Sequence, residues 1–434
     1  MAGIKTALKW ADCIRYDFGK HPEPTGPLPR HLSAMIRISQ LAASVQPSAT
    51  LAAGAKAREL RAKGVTVFDF SLGEPDFNTP KHICDAADKA MQTGQTHYTP
   101  ASGTAELKKA IAKWYGRTYG FECGPEHVIV SNGAKHSIHN ALAALVGPGD
   151  EVIIPTPYWV SYSDLVQMTG ATPVLVSTTL QARFKMTPQQ LKAAFTPKTR
   201  VVMLNSPSNP TGTVYTRAEL DAIVEVILPT DAVILSDEIY EQLTYGDAKP
   251  TCVVTLRPEL KARTITISGA SKSYAMTGWR IGWAVAPVEV VKAMDNIQSQ
   301  ETSCPSSISQ AAMITALESP ESATCIAEML KEFSARRDIV YSRLAEIPGV
   351  QFDKADGAFY AFFQVSDHFG KTFGDKPVTD SMNFCTTLLE QAHVNLVPGA
   401  AFGAEGFVRM SFATNRETLE SGLSRLKDWL ASGK

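Results

Sequence analysis

The chain has 434 residues, and its 42 lysine and arginine residues against 43 aspartate and glutamate residues give a formal net charge of -1. This balance offers no electrostatic case for binding nucleic acid or an anionic membrane, so a small molecule is the more plausible partner. The length exceeds what one hydrophobic core usually organises, which predicts a large domain and a smaller one.

The seven cysteines are scattered and include no CxxC pair, which favours a reducing compartment over a disulfide framework. No apolar run approaches the roughly 20 residues that span a bilayer, and the N-terminus lacks the apolar block of a secretory signal. We therefore expect a cytoplasmic protein.

Residues 1–34 mix charges with a proline-rich stretch and are predicted to form an irregular N-terminal extension. Apolar periodicity begins near Met35. One hypothesis is that Met35 is the true first residue, which an intact mass corresponding to all 434 residues would reject. A short transit peptide is an alternative interpretation of the same segment.

Short β-branched runs alternate with amphipathic stretches between about residues 125 and 290. This alternation is typical of a sheet covered by helices on both faces, and it predicts a large α/β domain over residues 81–325. One helix start is indicated by a capping box of Thr216 and Glu219. The predicted strands are 128–130, 151–154, 173–176, 201–204, 233–235, 264–267 and 282–285.

The C-terminal part begins with a long helical pattern at 326–344. Strand signals follow at 357–362 and 408–412. We predict a smaller α+β domain over residues 326–434, to which residues 35–80 contribute an N-terminal part.

Ligands of open α/β sheets bind outside the carboxyl ends of the strands, so polar residues there are candidates. Gly133 and Ala134 follow a strand and open a helix, where backbone N–H groups can approach an anion, although a tight turn needs small residues in any case. No P-loop and no GxGxxG motif accompanies them, which weighs against a nucleotide. Asn209 precedes Pro210 in a turn-rich loop that is largely structural but can present an amide to a ligand.

An acidic residue closes one of the predicted strands, and a lysine follows another. Asp237 closes an apolar strand and needs a cationic or hydrogen-bonding partner, although a helix N-cap explains it about equally well. Lys272 lies in a small-residue turn, where desolvation lowers its pKa and makes it a nucleophile toward aldehydes. A solvated surface lysine is the ordinary alternative. Ser271 nearly completes a serine-hydrolase elbow, but Ser273 stands where that motif has glycine.

Residues 268–283 resemble the cofactor-lysine motif of class I aminotransferases, a pyridoxal-phosphate-dependent family, and particularly its bacterial and plastid aspartate and prephenate aminotransferases. The resemblance covers about residues 44–430. It implies a fold type I transferase, with a large domain built on a mostly parallel seven-stranded sheet and a smaller α+β domain. The supporting segments are 46–50, 73–77, 98–100, 157–162, 209–212 and 409–412.

The resemblance also implies a role for each candidate residue. Lys272 forms the Schiff base with pyridoxal phosphate and moves the substrate proton. Asp237 pairs with the pyridine nitrogen, while Asn209 and Tyr240 hydrogen-bond the phenolic oxygen. The residues expected around the cofactor phosphate are Gly133, Ala134, Ser271 and Arg280, with Tyr98 reaching across from a second subunit of a homodimer. Lys135 is also expected among the cofactor-binding residues.

The same resemblance predicts the substrate contacts. Trp159 stacks on the cofactor ring, for which core packing is the alternative. Arg409 clamps the α-carboxylate with help from the backbone near Gly73, for which a surface ion pair on an edge strand is the alternative. Relatives of this branch read a distal carboxylate with residues at the positions of Lys135 and Thr50, and both residue types are present here.

These contacts favour transfer between aspartate or glutamate and 2-oxoglutarate or oxaloacetate. Prephenate carries an extra carboxylate and can use the same pair, but Gln46 stands where several relatives have lysine, which weighs against it. Aromatic or other amino-acid aminotransferases and C–S lyases share the cofactor chemistry and remain alternatives. His136 and His139 lie one helical turn apart without an evident third ligand, so no metal is predicted.

Overall fold

The structure, a computed structural model, describes residues 38–45 and 49–434. The chain divides into two units, Met1–Ser44 and Val45–Lys434, and the first of them contributes helix α1 (Gln40–Ser44). The predicted extension 1–34, Met35 and Gln46 all lie outside the described residues.

The second unit alternates helices with strands. Its helices are α2 (Ala49–Ala62), α3 (Lys81–Gln92), α4 (Ala105–Tyr119), α5 (Ala134–Leu145), α6 (Ser161–Met168), α7 (Pro188–Ala194), α8 (Arg217–Ile227), α9 (Val288–Glu301), α10 (Ser307–Glu318), α11 (Pro320–Leu344), α12 (Ser381–Ala392) and α13 (Arg416–Ala431). Its strands are β1 (Phe68–Asp69), β2 (Val128–Ser131), β3 (Glu151–Thr156), β4 (Thr172–Ser177), β5 (Thr199–Asn205), β6 (Val233–Asp237), β7 (Thr264–Gly269), β8 (Gly282–Val285), β9 (Gln351–Phe352), β10 (Tyr360–Gln364), β11 (Thr372–Phe373), β12 (Lys376–Pro377), β13 (Val394–Asn395), β14 (Val397–Pro398) and β15 (Phe407–Ser411).

A seven-stranded sheet with the order β2-β8-β7-β6-β5-β3-β4 organises the larger part of this unit. Strand β8 runs antiparallel to β2 and β7, and the other neighbouring pairs are parallel. Strands β2, β7 and β8 are buried at every residue, as expected for strands covered on both faces. The predicted mostly parallel sheet and all seven of its strands are confirmed.

Capping residues set two helix starts. The capping box at the start of α8 is confirmed, because the Glu219 N–H donates to Thr216 Oγ1 and the Thr216 N–H donates to the Glu219 carboxylate. Helix α11 begins at Pro320, six residues before its predicted start, because Ser319 caps it and proline fits the first helical position. The predicted border at 325/326 therefore falls inside α11, and the division into two domains remains a proposal.

Strands β14, β15, β10 and β9 form, in this order, a second sheet, which is antiparallel. The strand predicted at 357–362 was placed too early, because Ala358 has a φ of 55° and β10 starts only at Tyr360. Strand β1 pairs in parallel with β13, which ties residues before 80 to the C-terminal part. Among the helices of the described residues, none has the length and apolar character needed to cross a membrane.

Candidate active site

A cavity of about 260 Å³ opens where the carboxyl ends of the parallel strands meet the second sheet. Parallel strands end at one edge of a sheet, which brings together side chains that are distant in sequence. Most of the predicted site residues line this cavity. Its lining includes Gly73, Ala134, Lys135, Trp159, Asn209, Asp237, Tyr240, Ser271, Lys272, Arg280 and Arg409, together with Tyr162 and Tyr360.

The amine of Lys272 is buried in this cavity and donates a hydrogen bond to the carbonyl oxygen of Gly73. Within the described residues it forms no ion pair with a carboxylate. Burial lowers its pKa to about 8, and the positive charges of Arg409 and Arg280 act in the same direction. A substantial fraction of this amine is therefore unprotonated near pH 8, as a nucleophile toward an aldehyde requires.

The carboxylate of Asp237 is buried at the end of β6. Tyr162 donates its hydroxyl to Oδ2 at 2.5 Å, and the Ile239 N–H donates to Oδ1 at 3.2 Å. Burial raises the pKa of this carboxyl to about 6, and the two hydrogen bonds oppose the rise. No α-helix begins at Asp237, so the N-cap interpretation does not account for it. Tyr162 closes the motif at 157–162, but nothing in the sequence indicates a role for it.

A positively charged cradle lies at the N-terminus of α5. Gly133 adopts a φ of 88°, and a Cβ atom there would lie 2.4 Å from an Nη atom of Arg280. A Cβ atom on Gly282 would lie 2.2 Å from the backbone nitrogen of Ala134. The first N–H groups of a helix have no partner within it, and the helix dipole and a guanidinium both favour an anion at this end. Ser271 lines the same cavity.

Arg409 lies on β15 and exposes only 1% of its surface. Its Nη atoms donate to Asn209 Oδ1 at 3.0 Å and to the Ser71 carbonyl oxygen at 2.7 Å, while Nε has no partner within the described residues. Strand β15 lies between β14 and β10, so a surface ion pair on an edge strand is excluded. No carboxylate of the described chain pairs with this buried cation, and a substrate carboxylate can supply the missing charge.

Two hydroxyl groups meet beside Lys272. Tyr240 Oη lies 2.9 Å from Tyr360 Oη, and both rings are buried. The sequence predicts that Tyr360 lies in a strand but indicates no role for it in the site. Its signal was weak, because a buried aromatic residue in an apolar strand is most often core packing.

The remaining candidates lie at the mouth of the cavity or outside it. Lys135 Nζ lies 4.8 Å from the Trp159 ring centroid, and burial lowers the pKa of this lysine. The Trp159 ring is half-buried and lines the cavity, so it is not simply core. Thr50 belongs to α2, but its side chain is outside the described ones. Tyr98 is 89% exposed and does not line the cavity of its own chain.

These residues fit pyridoxal phosphate. Lys272 offers an amine for its aldehyde, Asp237 a buried carboxylate for its ring nitrogen, and Tyr240 a hydroxyl for its phenolic oxygen. The missing Cβ of Gly133 lets the Arg280 guanidinium lie against the N-terminus of α5, so that a phosphate there would meet both the helix N–H groups and a cation.

Comparison with known proteins gives a consistent result. The family model described as "Aminotransferase class I and II" matches residues 65–426. The aspartate aminotransferase of Geobacillus stearothermophilus is 48% identical, over 90% of this chain and 98% of that protein. The aspartate/prephenate aminotransferase of Cereibacter sphaeroides is 46% identical, over 92% of this chain and 99% of that protein.

Solved structures extend the similarity to three dimensions. The aspartate aminotransferase of Rhizobium meliloti superposes with a TM-score of 0.88 at 42% identity, covering 92% of this chain and all of that one. The aspartate aminotransferase of Thermus thermophilus with maleate superposes with a TM-score of 0.86 at 38% identity, covering 91% of this chain and all of that one. The chain therefore belongs to the class I and II aminotransferases, which transfer amino groups with pyridoxal phosphate.

Proposed function

We propose that this transaminase moves the amino group between aspartate or glutamate and 2-oxoglutarate or oxaloacetate. The observation that carries the proposal is a pair of cations, Arg409 and Lys135, which line the cavity of Lys272 without an ion pair among the described residues. Lys272 and Arg280 line the same cavity but are assigned to the cofactor, so two cations remain for the substrate, which suits a substrate with two carboxylates. Relatives at 42 to 48% identity carry the names aspartate and aspartate/prephenate aminotransferase.

Bound pyridoxal phosphate supplies an aldehyde that condenses with amines and a ring that takes up the electrons left on the substrate α-carbon. Lys272, with its lowered pKa, takes the proton from that carbon and returns it, and the Gly73 carbonyl oxygen holds the amine in the cavity. The Asp237 carboxylate, fixed by Tyr162, holds a proton on the ring nitrogen.

Other side chains bind and orient. Arg280 and the N-terminus of α5 bind the phosphate. The guanidinium of Arg409 binds the substrate α-carboxylate, and its bonds to Asn209 and the Ser71 carbonyl fix its plane for a bidentate contact. Lys135, with Thr50 of α2, binds the distal carboxylate, and Trp159 covers the ring.

The proposal extends to a homodimer in which Tyr98 completes the neighbouring site. Its support is the 89% exposure of Tyr98, a large aromatic residue that a contact with a second subunit would cover. We also propose a cytoplasmic location, since the cysteines in the described part of the chain are free.

A second candidate activity is the conversion of prephenate to arogenate. It is favoured by the aspartate/prephenate aminotransferases of Cereibacter sphaeroides and Nitrosomonas europaea, at 46% and 42% identity. Its measurement is arogenate formation from prephenate with glutamate or aspartate as donor. A rate no higher than that of Lys272→Ala would remove this activity.

The reaction class is tested on purified protein reconstituted with pyridoxal phosphate. Borohydride treatment is expected to leave a pyridoxyl adduct on the peptide that contains Lys272, and aspartate is expected to bleach the cofactor absorbance. Lys272→Ala is the control and shows neither. A panel with alanine, phenylalanine and cysteine conjugates then separates the acidic-substrate proposal from aromatic aminotransferases and C–S lyases. An unlabelled Lys272 in wild type would overturn the proposal.

A further inference from the structure

A second cavity, of about 490 Å³, shares no lining residue with the active-site cavity. It lies between the N-terminus of α8, the loop 245–251 and the middle of α11. Its volume is in the range of small-molecule sites. Five cationic side chains line it, Arg183, Lys185, Arg217, Lys249 and Arg337.

Two of these cations are already neutralised by the protein. Arg183 donates to Asp353 at 2.8 Å and to Asp356 at 2.9 Å. Lys185 forms an ion pair with Glu219 at 2.8 Å. These ion pairs lie in the wall of the cavity. The unpaired positive charge of the cavity therefore comes from Arg217, Lys249 and Arg337.

Arg337 is the most constrained of the three. Its side chain is only 14% exposed, and its nearest carboxylate, Asp338, lies 3.9 Å away and is held by Lys354 at 2.8 Å. Its Nε atom is buried and finds no acceptor in the part of the chain that the structure describes. A largely buried guanidinium without a close counter-charge is costly, so an anion beside it would be strongly favoured.

The ring beneath Arg337 fixes the position of the guanidinium. The Arg337 guanidinium lies 5.0 Å from the centre of the Tyr245 ring. The Tyr245 N–H donates to the Asp356 carbonyl oxygen at 2.8 Å, and its hydroxyl donates to the Ala358 carbonyl oxygen. Because the ring is held at both ends, the cation is already oriented before any ligand binds.

The other two cations face the same cavity from exposed positions. Lys249 has no ion pair within residues 49–434. Arg217 donates to the Thr255 carbonyl oxygen at 3.4 Å and forms no ion pair within 4.0 Å in those residues, although its charge helps to lower the pKa of Asp221. The lining carboxylates are Asp356, which Arg183 occupies, and Asp247. Unpaired positive charge therefore exceeds unpaired negative charge.

We propose that this cavity is a binding site for a small multivalent anion bearing phosphate or carboxylate groups, with Arg337 as its central contact and Lys249 and Arg217 at its mouth. The ligand would join α11 to the loop 245–251. This inference is independent of the substrate proposed for the active site.

Isothermal titration calorimetry on the holoenzyme tests it, with inorganic pyrophosphate and citrate as probes at a constant ionic strength of about 0.15 M. Saturable binding of at least one probe is expected. Because the active site also binds carboxylates, only binding that Arg337→Met weakens is assigned to this cavity, and the tighter such probe identifies phosphate or carboxylate as the preferred group. Arg337→Met is expected to weaken that binding at least tenfold, because a charge-assisted contact is lost.

The matched control is Arg343→Met, which removes one exposed cation of α11 that pairs with Glu346 outside the cavity. Its affinity is expected to stay within twofold of wild type. Lys249→Met removes an exposed side chain that the fold does not need, and a loss of at least threefold is expected. The proposal is overturned if wild type binds neither probe saturably, or if Arg337→Met and Lys249→Met both bind as tightly as Arg343→Met.

Discussion

The hydroxyl of Tyr360, on β10, lies 2.9 Å from the hydroxyl of Tyr240, in the turn after β6. The Tyr360 ring also lies 4.5 Å from the guanidinium carbon of Arg409. One tyrosine of the antiparallel sheet thus supports both a cofactor-binding candidate on the seven-stranded sheet and the cation that we assign to the substrate α-carboxylate.

Tyr360→Phe should therefore lower the activity without preventing the cofactor from binding. Removing the hydroxyl leaves buried Tyr240 without its partner, and a hydrogen bond of about 1 kcal/mol corresponds to a roughly fivefold loss of kcat/KM for aspartate. The pH midpoint of the cofactor absorbance should also move, because we assign the Tyr240 hydroxyl to the phenolic oxygen. Tyr341→Phe is the control: it removes a buried hydroxyl that accepts from the Ala355 N–H at 3.0 Å. Identical behaviour of the two variants in absorbance and kcat/KM would contradict the role of Tyr360.

The buried amine of Lys272 makes the stability of the cofactor-free protein depend on pH. Burial lowers its pKa from 10.5 to about 8. Below pH 8 the folded and unfolded chains both carry the proton, so the cost of the buried charge is fully present. Between pH 8 and 10.5 the folded chain has released the proton that the unfolded chain keeps, and the stability of the folded state rises.

Lys272→Met is accordingly expected to stabilise the cofactor-free protein at pH 7, and this gain should shrink by pH 10. Urea unfolding at the two pH values measures both quantities. Lys192→Met, which removes an exposed lysine of α7, controls for the loss of one positive charge. A gain that is constant between pH 7 and 10 would argue against a buried, deprotonating amine.

Lys135 and Arg409 should separate substrate specificity from general binding. Lys135→Met removes the cation assigned to the distal carboxylate, and a charged hydrogen bond of about 1.5–3 kcal/mol predicts a roughly 10- to 150-fold loss of kcat/KM for aspartate. Alanine, which has no distal carboxylate, should be affected about threefold at most. Arg409→Lys keeps the charge but not the bidentate fork, so it should impair both substrates. Steady-state kinetics with aspartate and alanine measure these effects. Equal losses of kcat/KM for both amino acids in Lys135→Met would rule out the role assigned to Lys135.

The fold was predictable wherever burial imposes an apolar pattern. Strand β2 is buried at every residue and begins with the apolar run 128–130, and β7 is equally buried and is rich in β-branched threonine and isoleucine. The start of β10 was not predictable, because it depends on tertiary contacts: a Cβ atom on Gly357 would lie 2.7 Å from Pro207 and 2.9 Å from the Leu243 carbonyl oxygen. No local sequence signal reports such an approach.

Some residues of the site were likewise predictable from the sequence, and others were not. Lys272 and Asp237 were found because they are polar residues at the ends of apolar strands, an unusual and costly placement. Tyr162 and Tyr360 were given no role because an aromatic residue in an apolar segment resembles core packing. Only the folded chain brings the Tyr162 hydroxyl to Asp237 and the Tyr360 hydroxyl to Tyr240, across 75 and 120 residues of sequence.

The proposed contribution of Tyr98 to a neighbouring site can be tested with hybrid dimers. Tyr98→Ala and Lys272→Ala should each reduce activity when expressed alone, Lys272→Ala to background. In a dimer that contains one subunit of each kind, one site carries both defects and the other carries neither. Random mixing of the two variants should therefore restore about one quarter of the wild-type sites, on the statistics of a twofold-symmetric pair.

The control is a mixture of Lys272→Ala with Asp237→Ala, whose defects belong to the same subunit's site. Every dimer in that mixture has a defect in both sites, so no recovery is expected. Activity is assayed with aspartate as donor, first on the co-expressed mixture and then on the hybrid separated by two affinity tags, in which about half of the sites should be active. If the Tyr98→Ala hybrid recovers no more than this control does, Tyr98 serves its own subunit or neither, and the shared-site dimer must be abandoned.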